Sequence, residues 1–247
     1  MDHSRFSQAY QKHLQEEHKA STISSYLKEI VYGGIDGIIT TFAVVSSFTG
    51  ATGSGTALYP MIVVLLFGLA NLFGDATSMG LANFLSTRSE HKLYKKELKK
   101  ELHEITHNPE FEKEESMEIL VNKGMSKEDA KQFVDLYSKY PQYWAEFMMQ
   151  YEVKLPTPEN ESSAKNAIAT FSSFIFFGFI PLIPYVFGIE INNLFLLSTG
   201  FSAAALILLG ILRGRITIEP LWLSITETVA LGSIAAVIAY IVGTFFA

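Results

Sequence analysis

The sequence contains no cysteine among its 247 residues. Disulfide frameworks and thiolate metal sites are therefore excluded, and a metal ion would need oxygen, nitrogen or thioether ligands. Charge is also scarce, because Asp, Glu, Lys and Arg make up 18% of the chain whereas apolar residues make up 49%. This composition is too apolar for an ordinary soluble domain. The net charge of -6 argues against a nucleic-acid partner.

Basic residues are missing from one side of the predicted topology. The loops 49–58 and 188–193 and the C-terminal GTFFA contain no Lys or Arg. All 19 basic residues lie at the N-terminal end, in an insertion at 87–165, or at Arg213 and Arg215 in a turn at 213–217. The positive-inside rule predicts that the N-terminal tail, the insertion and this turn are cytoplasmic and that the C-terminus is outside. The N-terminus carries charges of both signs, which is not typical of a cleavable signal peptide.

Five apolar stretches are long enough to cross a hydrocarbon core of roughly 30 Å. They are residues 26–48, 57–86, 164–187, 193–212 and 218–246. The predicted fold class is all-α, a polytopic membrane protein with five transmembrane helices and a cytoplasmic helical metal-binding insertion between helices 2 and 3. The predicted domains are a cytoplasmic tail (1–25), helices 1 and 2 (26–87), the insertion (88–162) and helices 3 to 5 (163–247).

The second span is predicted to continue beyond Arg88 as a charged helix that ends near Asn108. Asn108 is a plausible side-chain N-cap for a helix that Pro109 begins, and Gly124 should end that helix. Ser126 and Asp129 resemble a capping box, and Pro141 opens another helix. The insertion is thus expected to contain about four helices. Further on, Pro181 and Pro184 should bend the third span near its outer end.

Acidic residues inside apolar spans are costly and are functional candidates by default. Asp36 lies between glycines in the first span, and Glu227 lies in the fifth. Asn71, Asp75 and Met79 are spaced i, i+4, i+8 and share one face of the second span. A methionine in a membrane helix usually serves packing, but this one shares its face with two polar residues. Glu29 and Glu219 lie near the cytoplasmic edge, where an acid is easily solvated.

The insertion carries two stripes of glutamate that a helical hairpin would bring together. Their members are Glu97, Glu101 and Glu104 on one helix and Glu112, Glu115 and Glu118 on the next. Met148, Met149 and Glu152 follow on the last helix, within reach of the same cleft. Packed like charges are unfavourable unless they are compensated, and divalent cations such as Mn²⁺ and Fe²⁺ suit carboxylates. The alternative is a solvated acidic face that pairs with Lys96, Lys99, Lys100 and Lys113, and His103 and His107 could form a separate metal pair.

At this point the sequence resembles the vacuolar iron transporter family, proton-coupled carriers of ferrous iron and manganese. The matching stretches are EIVYGGIDGIITTFAVV, the SMG of GDATSMGLANFLSTRSE, YKKELKKELHEI, FMM followed by Glu152, and PLIPY. They extend over nearly the whole chain after residue 26. The resemblance implies five spans, a homodimer with its path along the two-fold axis, and a cytoplasmic metal-binding domain between spans 2 and 3. A prokaryotic member in the plasma membrane is expected.

Carried over by position, the resemblance implies roles for individual residues. Asp36 and Met79 match the intramembrane Asp and Met of the family. The ligands of the cytoplasmic domain correspond to Glu101, Glu104, Glu112, Glu115, Met148, Met149 and Glu152. One departure matters, because Asn71 stands where characterised vacuolar members have a glutamate. Asp75, one turn further on, could replace that carboxylate.

The predicted function is export of Fe²⁺, or of Mn²⁺, from the cytoplasm in exchange for protons. The cytoplasmic Glu/Met cluster would collect metal, with other divalent ions such as Zn²⁺ also able to bind. Asp36, Met79, Asp75 and Asn71 would form the transit site, with weaker candidates at Glu97, Glu118, Glu29 and Glu227. One alternative is a membrane-anchored metal sensor or buffer that transports nothing. A diiron oxidase is disfavoured because the insertion lacks paired Glu-x-x-His motifs.

Overall fold

The computed structural model describes residues 26–52, 61–158, 162–187 and 194–246, and every regular element in these ranges is helical. The described residues form two compact units. The membrane unit comprises those up to Asn83 and from Ala164 onward, and the insertion unit comprises those within Phe84–Ser163. The predicted tail at 1–25 and the loop at 188–193 lie outside the described residues, as does most of the loop at 49–58.

The helices of the membrane unit agree with the five predicted spans. Five helical segments are long and apolar enough to cross a membrane. They are α1 (Leu27–Thr52), α2 (Met61–His107), the third span described below, α8 (Leu194–Thr217) and α9 (Leu221–Thr244). The all-α fold with five spans is therefore confirmed, while the side of the membrane on which the insertion lies stays a prediction.

Helix α2 is continuous over 47 residues, as predicted. Its first part is apolar, and its second part is rich in Lys, Glu and Leu, which are strong helix formers in water. Residues 61–107 contain no proline, so no helix-breaking residue lies where the apolar part of α2 passes into the charged part. One helix thus contributes residues to both units.

The third span is interrupted where the prolines lie. Helix α6 (Ser163–Gly178) is followed by a 3₁₀ turn at Ile180–Leu182 and the short helix α7 (Ile183–Val186). Pro181 and Pro184 lack the backbone N–H that an α-helix requires in its interior. The carbonyl of Pro181 accepts a hydrogen bond of 2.7 Å from the Ser198 hydroxyl of α8. The regular α-helix is thus interrupted at the predicted prolines, and the predicted bend itself stays a prediction.

The turn predicted at 213–217 is wrong in its position. Those residues are the last turn of α8, and the chain reverses at Ile218–Pro220. Ile218 adopts a positive φ of 57°. Glu219 N–H donates to the Gly214 carbonyl at 3.1 Å, which closes the end of the helix. Pro220 cannot continue α8 and starts α9 instead.

The insertion unit contains the charged end of α2 and three further helices, as predicted. They are α3 (Pro109–Asn122), α4 (Lys127–Tyr137) and α5 (Pro141–Tyr151). Gly124 ends α3 with φ +102°. The bonds Gly124 N–H to Val121 O and Met125 N–H to Leu120 O form a Schellman motif. Ser126 caps α4 by accepting from the Asp129 N–H at 3.1 Å.

The predicted side-chain cap at Asn108 is not formed. Asn108 occupies the N-cap position of α3, but its side chain makes no capping bond. Its backbone connects the two helices instead, because its N–H donates to Glu104 O at 2.8 Å and its carbonyl accepts from Glu112 N–H at 3.2 Å. Pro109 has no backbone N–H, so the first position of α3 needs no hydrogen-bond acceptor and one fewer N–H has to be capped.

Candidate metal centre

Three helices of the insertion unit bring three carboxylates to one point. Glu101 lies on α2, Glu112 lies on α3, and Glu152 is the residue after α5. One oxygen atom from each side chain lies within 4.8 Å of the other two. Glu101 and Glu112 come from the two predicted glutamate stripes, so one member of each stripe reaches this point. The predicted meeting of these two glutamates is present, while the hairpin as a whole stays a prediction.

Two of these carboxylates are buried without compensation. Glu101 is 2% exposed and Glu112 is 4% exposed. The Oε2 atom of each has no hydrogen-bond partner within the part of the chain that the structure describes. A buried carboxylate without a partner is strongly destabilising, and in practice it takes up a proton or binds a cation. The interpretation as a merely solvated acidic face does not fit these two residues.

The charges of the cluster act on one another. Burial first, and then the neighbouring charges of Glu152, Glu104 and Glu112, together raise the pKa of Glu101 to about 7. Burial also raises the pKa of Glu112 to about 7, with Glu115 as its strongest neighbour. The pKa of Glu152 is raised by burial and then by Glu115 and Glu104. Glu104 and Glu115 are therefore electrostatic neighbours of the three convergent carboxylates.

The predicted thioether residues lie on α5 beside this cluster. Met148 and Met149 are fully buried. Glu152 N–H donates to the Met148 carbonyl at 2.8 Å, so one helical turn separates the two side chains along α5. Carboxylate oxygen suits Mn²⁺ and Fe²⁺, and thioether sulfur adds a softer donor. The donor set fits a divalent transition metal.

The other predicted residues of the insertion lie at the edge of the cluster or away from it. Glu97 is half-buried and lies 3.4 Å from Lys96 Nζ. Glu118 is exposed. The rings of His103 and His107 stack with centroids 3.8 Å apart. Nδ1 of His107 lies 2.8 Å from the His103 carbonyl oxygen, which leaves its Nε2 as the outward-facing nitrogen.

The membrane unit contains a separate groove between α1 and α2, in which a few polar side chains lie among mostly apolar ones. The groove has a volume of about 570 Å³, and its lining includes Thr40, Asn71 and Asp75. Asp36 lies one turn before Thr40, whose hydroxyl donates to the Asp36 carbonyl at 2.9 Å. Asp36 is close enough to Asp75 for the two charges to interact. Asn71 and Asp75 thus share this groove, whereas Asp36 lines a different one together with Arg213.

Met79 and the weaker candidates have other surroundings. Met79 is half-buried against an apolar cluster that includes Leu72 and Ala76. Glu29 was expected to be solvated but is 7% exposed, in the first turn of α1 where the helix dipole favours an acid. Glu227 is bound by Arg213, whose Nη2 lies 2.8 Å from its Oε2.

Sequence reasoning missed two buried residues of the insertion, Ser116 and Trp144. Ser116 lies one turn after Glu112 and one residue after Glu115, so its register along α3 could have indicated it. Trp144 gives a weaker signal, because a buried indole N–H needs an acceptor but the sequence does not identify it. The partnership of Arg213 with Glu227 was also missed, since 14 residues separate the two.

Five candidate membrane spans, acidic residues within them, and a helical unit with a buried acidic cluster define a polytopic membrane protein. A model of the VIT family matches residues 27–244. The chain belongs to the VIT family. This is a family of transporters rather than of enzymes.

Similar proteins agree with this assignment over most of their length. "Vacuolar iron transporter 1" of Oryza sativa subsp. japonica is 32% identical over 219 residues, which cover 89% of this chain and 84% of that protein. "Vacuolar iron transporter" of Toxoplasma gondii is 34% identical over 242 residues, which cover 92% of this chain and 76% of that protein. "Vacuolar iron transporter 1" of Arabidopsis thaliana is 31% identical over 222 residues.

Proposed function

We propose that the protein exports Fe²⁺, or Mn²⁺, from the cytoplasm in exchange for protons. The observation that carries the proposal is the convergence of Glu101, Glu112 and Glu152 around two buried, unpartnered carboxylate oxygens. The names of the relatives support iron as the transported ion. Manganese rests on the preference of carboxylates for Mn²⁺ and Fe²⁺.

In this proposal the insertion collects the metal ion. Glu101, Glu104, Glu112, Glu115 and Glu152 supply the charge, and Met148 and Met149 supply softer donors. Carboxyl groups with a pKa of about 7 hold protons at neutral pH, so metal binding releases protons. Zn²⁺ and similar ions bind the same donors. The cytoplasmic location of the insertion is supported by the one-sided distribution of Lys and Arg.

Transit across the membrane is assigned to Asp36, Asp75, Asn71 and Met79. A carboxyl group in low-dielectric surroundings holds either a proton or a metal ion, and this competition is a physical route to antiport. The interaction of Asp36 with Asp75 supports Asp75 as the substitute for the glutamate missing at residue 71. A homodimer would place both residues and their symmetry mates around one axis, as the family resemblance implies.

The main alternative is a metal sensor or buffer in which the insertion binds metal and nothing crosses the membrane. The acids within the spans count against it, because a mere anchor would not need them. Two host membranes are considered. The sequence predicts a prokaryotic plasma membrane, whereas the relatives are named as vacuolar. Microscopy of the tagged chain in its own host decides the membrane.

The decisive experiment is metal flux in proteoliposomes with a pH-sensitive dye inside. We expect Asp36→Ala and Asp36→Asn to abolish flux while metal binding by the insertion is retained. Asp75→Asn should lose proton coupling or most of its flux if Asp75 replaces the missing glutamate. Thr77→Ala, an exposed position on the same helix, is the control. Flux like that of the wild type in Asp36→Ala would refute the path, and binding without any flux in the wild type would favour the sensor.

A further inference from the structure

A buried chain of hydrogen bonds ends on the sulfur of Met148. The indole Nε1–H of Trp144 donates to Ser116 Oγ at 2.8 Å. The Ser116 hydroxyl donates in turn to Met148 Sδ at 3.2 Å. Ser116 and Met148 are 0% exposed and Trp144 is 2% exposed, so water does not compete for these bonds.

The chain lies one helical turn from the carboxylates. Ser116 follows Glu112 by four residues on α3, and Met148 precedes Glu152 by four residues at the end of α5. The contact between Ser116 and Met148 therefore joins the same two segments that bring Glu112 and Glu152 together. The sulfur contact thus lies one helical turn along each helix from Glu112 and Glu152.

The direction of the Ser116 hydroxyl is not the usual one for a helix. Ser89 and Thr106 on α2 donate to the carbonyl four residues earlier, at 2.7 Å in both cases. Ser116 donates to a side chain on another helix instead. Trp144 donates to the Ser116 oxygen and Ser116 donates to the sulfur, while the buried Tyr137 hydroxyl also lies near Ser116.

Fixing the sulfur has a chemical consequence. A methionine side chain has three rotatable bonds and a polarizable sulfur, so it adopts many positions unless something holds it. The Ser116 hydrogen bond occupies one lone pair of the sulfur and leaves the other free for a metal ion. Groups that orient a ligand in this way typically change metal affinity by about 10- to 100-fold when they are mutated.

We propose that Ser116 and Trp144 are positioning residues that hold the Met148 sulfur ready as a soft ligand of the cluster. They thereby set the preference of the insertion for softer over harder divalent ions. The inference rests on the proposed function in one respect, that the carboxylate cluster binds metal. In this proposal Ser116 and Trp144 affect metal selectivity through Met148, without contacting the ion themselves.

The test compares Zn²⁺, which accepts thioether sulfur, with Mn²⁺, which prefers oxygen. Calorimetry on the full-length protein measures both affinities in the wild type, Ser116→Ala, Met148→Leu and Ser116→Thr. We expect Ser116→Ala and Met148→Leu to lower Zn²⁺ affinity by roughly 10-fold with a much smaller effect on Mn²⁺. Ser116→Thr keeps the hydroxyl and should restore the Zn²⁺ preference. X-ray absorption at the zinc edge should show a sulfur neighbour in the wild type and lose it in Ser116→Ala.

The possible failures are distinguishable. Absence of binding of either ion by the wild type would refute the metal centre itself. An equal loss of Zn²⁺ and Mn²⁺ affinity in Ser116→Ala, or a sulfur neighbour that persists there, would mean that the hydrogen bonds serve packing only. If Ser116→Ala or Ser116→Thr does not fold, Trp144→Phe keeps an aromatic ring while removing the N–H. It should shift the Zn²⁺ to Mn²⁺ ratio in the same direction, and an unchanged ratio would overturn the proposal.

Discussion

At the scale of single residues, Glu101 and Glu112 control how the metal-free insertion responds to pH. Their pKa values are about 7 in the folded protein, compared with 4.5 for an unperturbed glutamate. Between these values the folded state binds protons that the unfolded chain has released. The free energy of unfolding should therefore fall as pH rises from 4.5 to 7. Urea unfolding of chelator-treated protein, followed by Trp144 fluorescence in a Trp222→Phe background, measures this slope.

The matched control is the double variant Glu101→Gln, Glu112→Gln, which keeps the shape of both side chains but cannot titrate. Its stability should depend less on pH across this window than that of the parent. Equal slopes in the two proteins would contradict the assignment of these protons to the buried pair.

Arg213 is predicted to matter more for stability than either of its acidic partners. Its Nη2 lies 2.8 Å from Glu227 Oε2 and 3.3 Å from Glu219 Oε2. Loss of Arg213 leaves two acids without their cation, whereas loss of Glu227 leaves Arg213 with Glu219. Arg213→Gln should therefore lower the thermal midpoint in detergent more than Glu227→Gln does. A double-mutant cycle that combines Arg213→Gln with Glu227→Gln should give a coupling energy of roughly 0.5–3 kcal/mol. Additive effects of the two substitutions would exclude a direct interaction between Arg213 and Glu227.

At the scale of helices, Gly37 allows α1 to approach α6 closely. A Cβ atom at residue 37 would lie 2.5 Å from the Phe174 carbonyl oxygen. That oxygen belongs to helical backbone and cannot move aside without shifting α6. Gly37→Ala is expected to destabilise the membrane unit by about 1–3 kcal/mol, which is typical of overpacking. The readout is the thermal midpoint in detergent.

Gly200→Ala on α8 is the control, because a Cβ at that position meets no atom within 4 Å. It should be neutral or slightly stabilising, since alanine favours a helix over glycine. A Gly37→Ala protein as stable as Gly200→Ala would show that the helices separate at little cost.

Helix boundaries could be predicted where local chemistry sets them. Pro109 and Pro141 begin helices, and Gly124 ends one, because each residue acts through its own backbone conformation. Asn108 occupies the predicted N-cap position of α3, but the predicted side-chain hydrogen bond is not formed. Whether its side chain caps α3 depends on how α2 and α3 meet, and spacing along the chain does not contain that information.

At the scale of the whole molecule, the one-sided distribution of basic residues predicts the topology. Cysteine introduced at Thr52 should react with an impermeant maleimide from the outside, and cysteine at Lys127 should react only from the cytoplasm. The chain contains no cysteine of its own, so the background is zero. A third cysteine at Arg215, which is exposed at the end of α8, should behave like the one at Lys127. Reaction of Thr52→Cys and Lys127→Cys from the same side would contradict five spans.

The five spans and the glutamate stripes could be predicted from the sequence because hydropathy and helical periodicity are local properties. Several features required the fold. Burial of Glu101 and Glu112 without partners depends on three helices meeting, and so do their pKa values near 7. The ion pair of Arg213 with Glu227 and the contact of Ser116 with the Met148 sulfur join residues 14 and 32 positions apart. Such contacts are set by how helices pack, because packing rather than sequence distance determines which side chains share an environment without water.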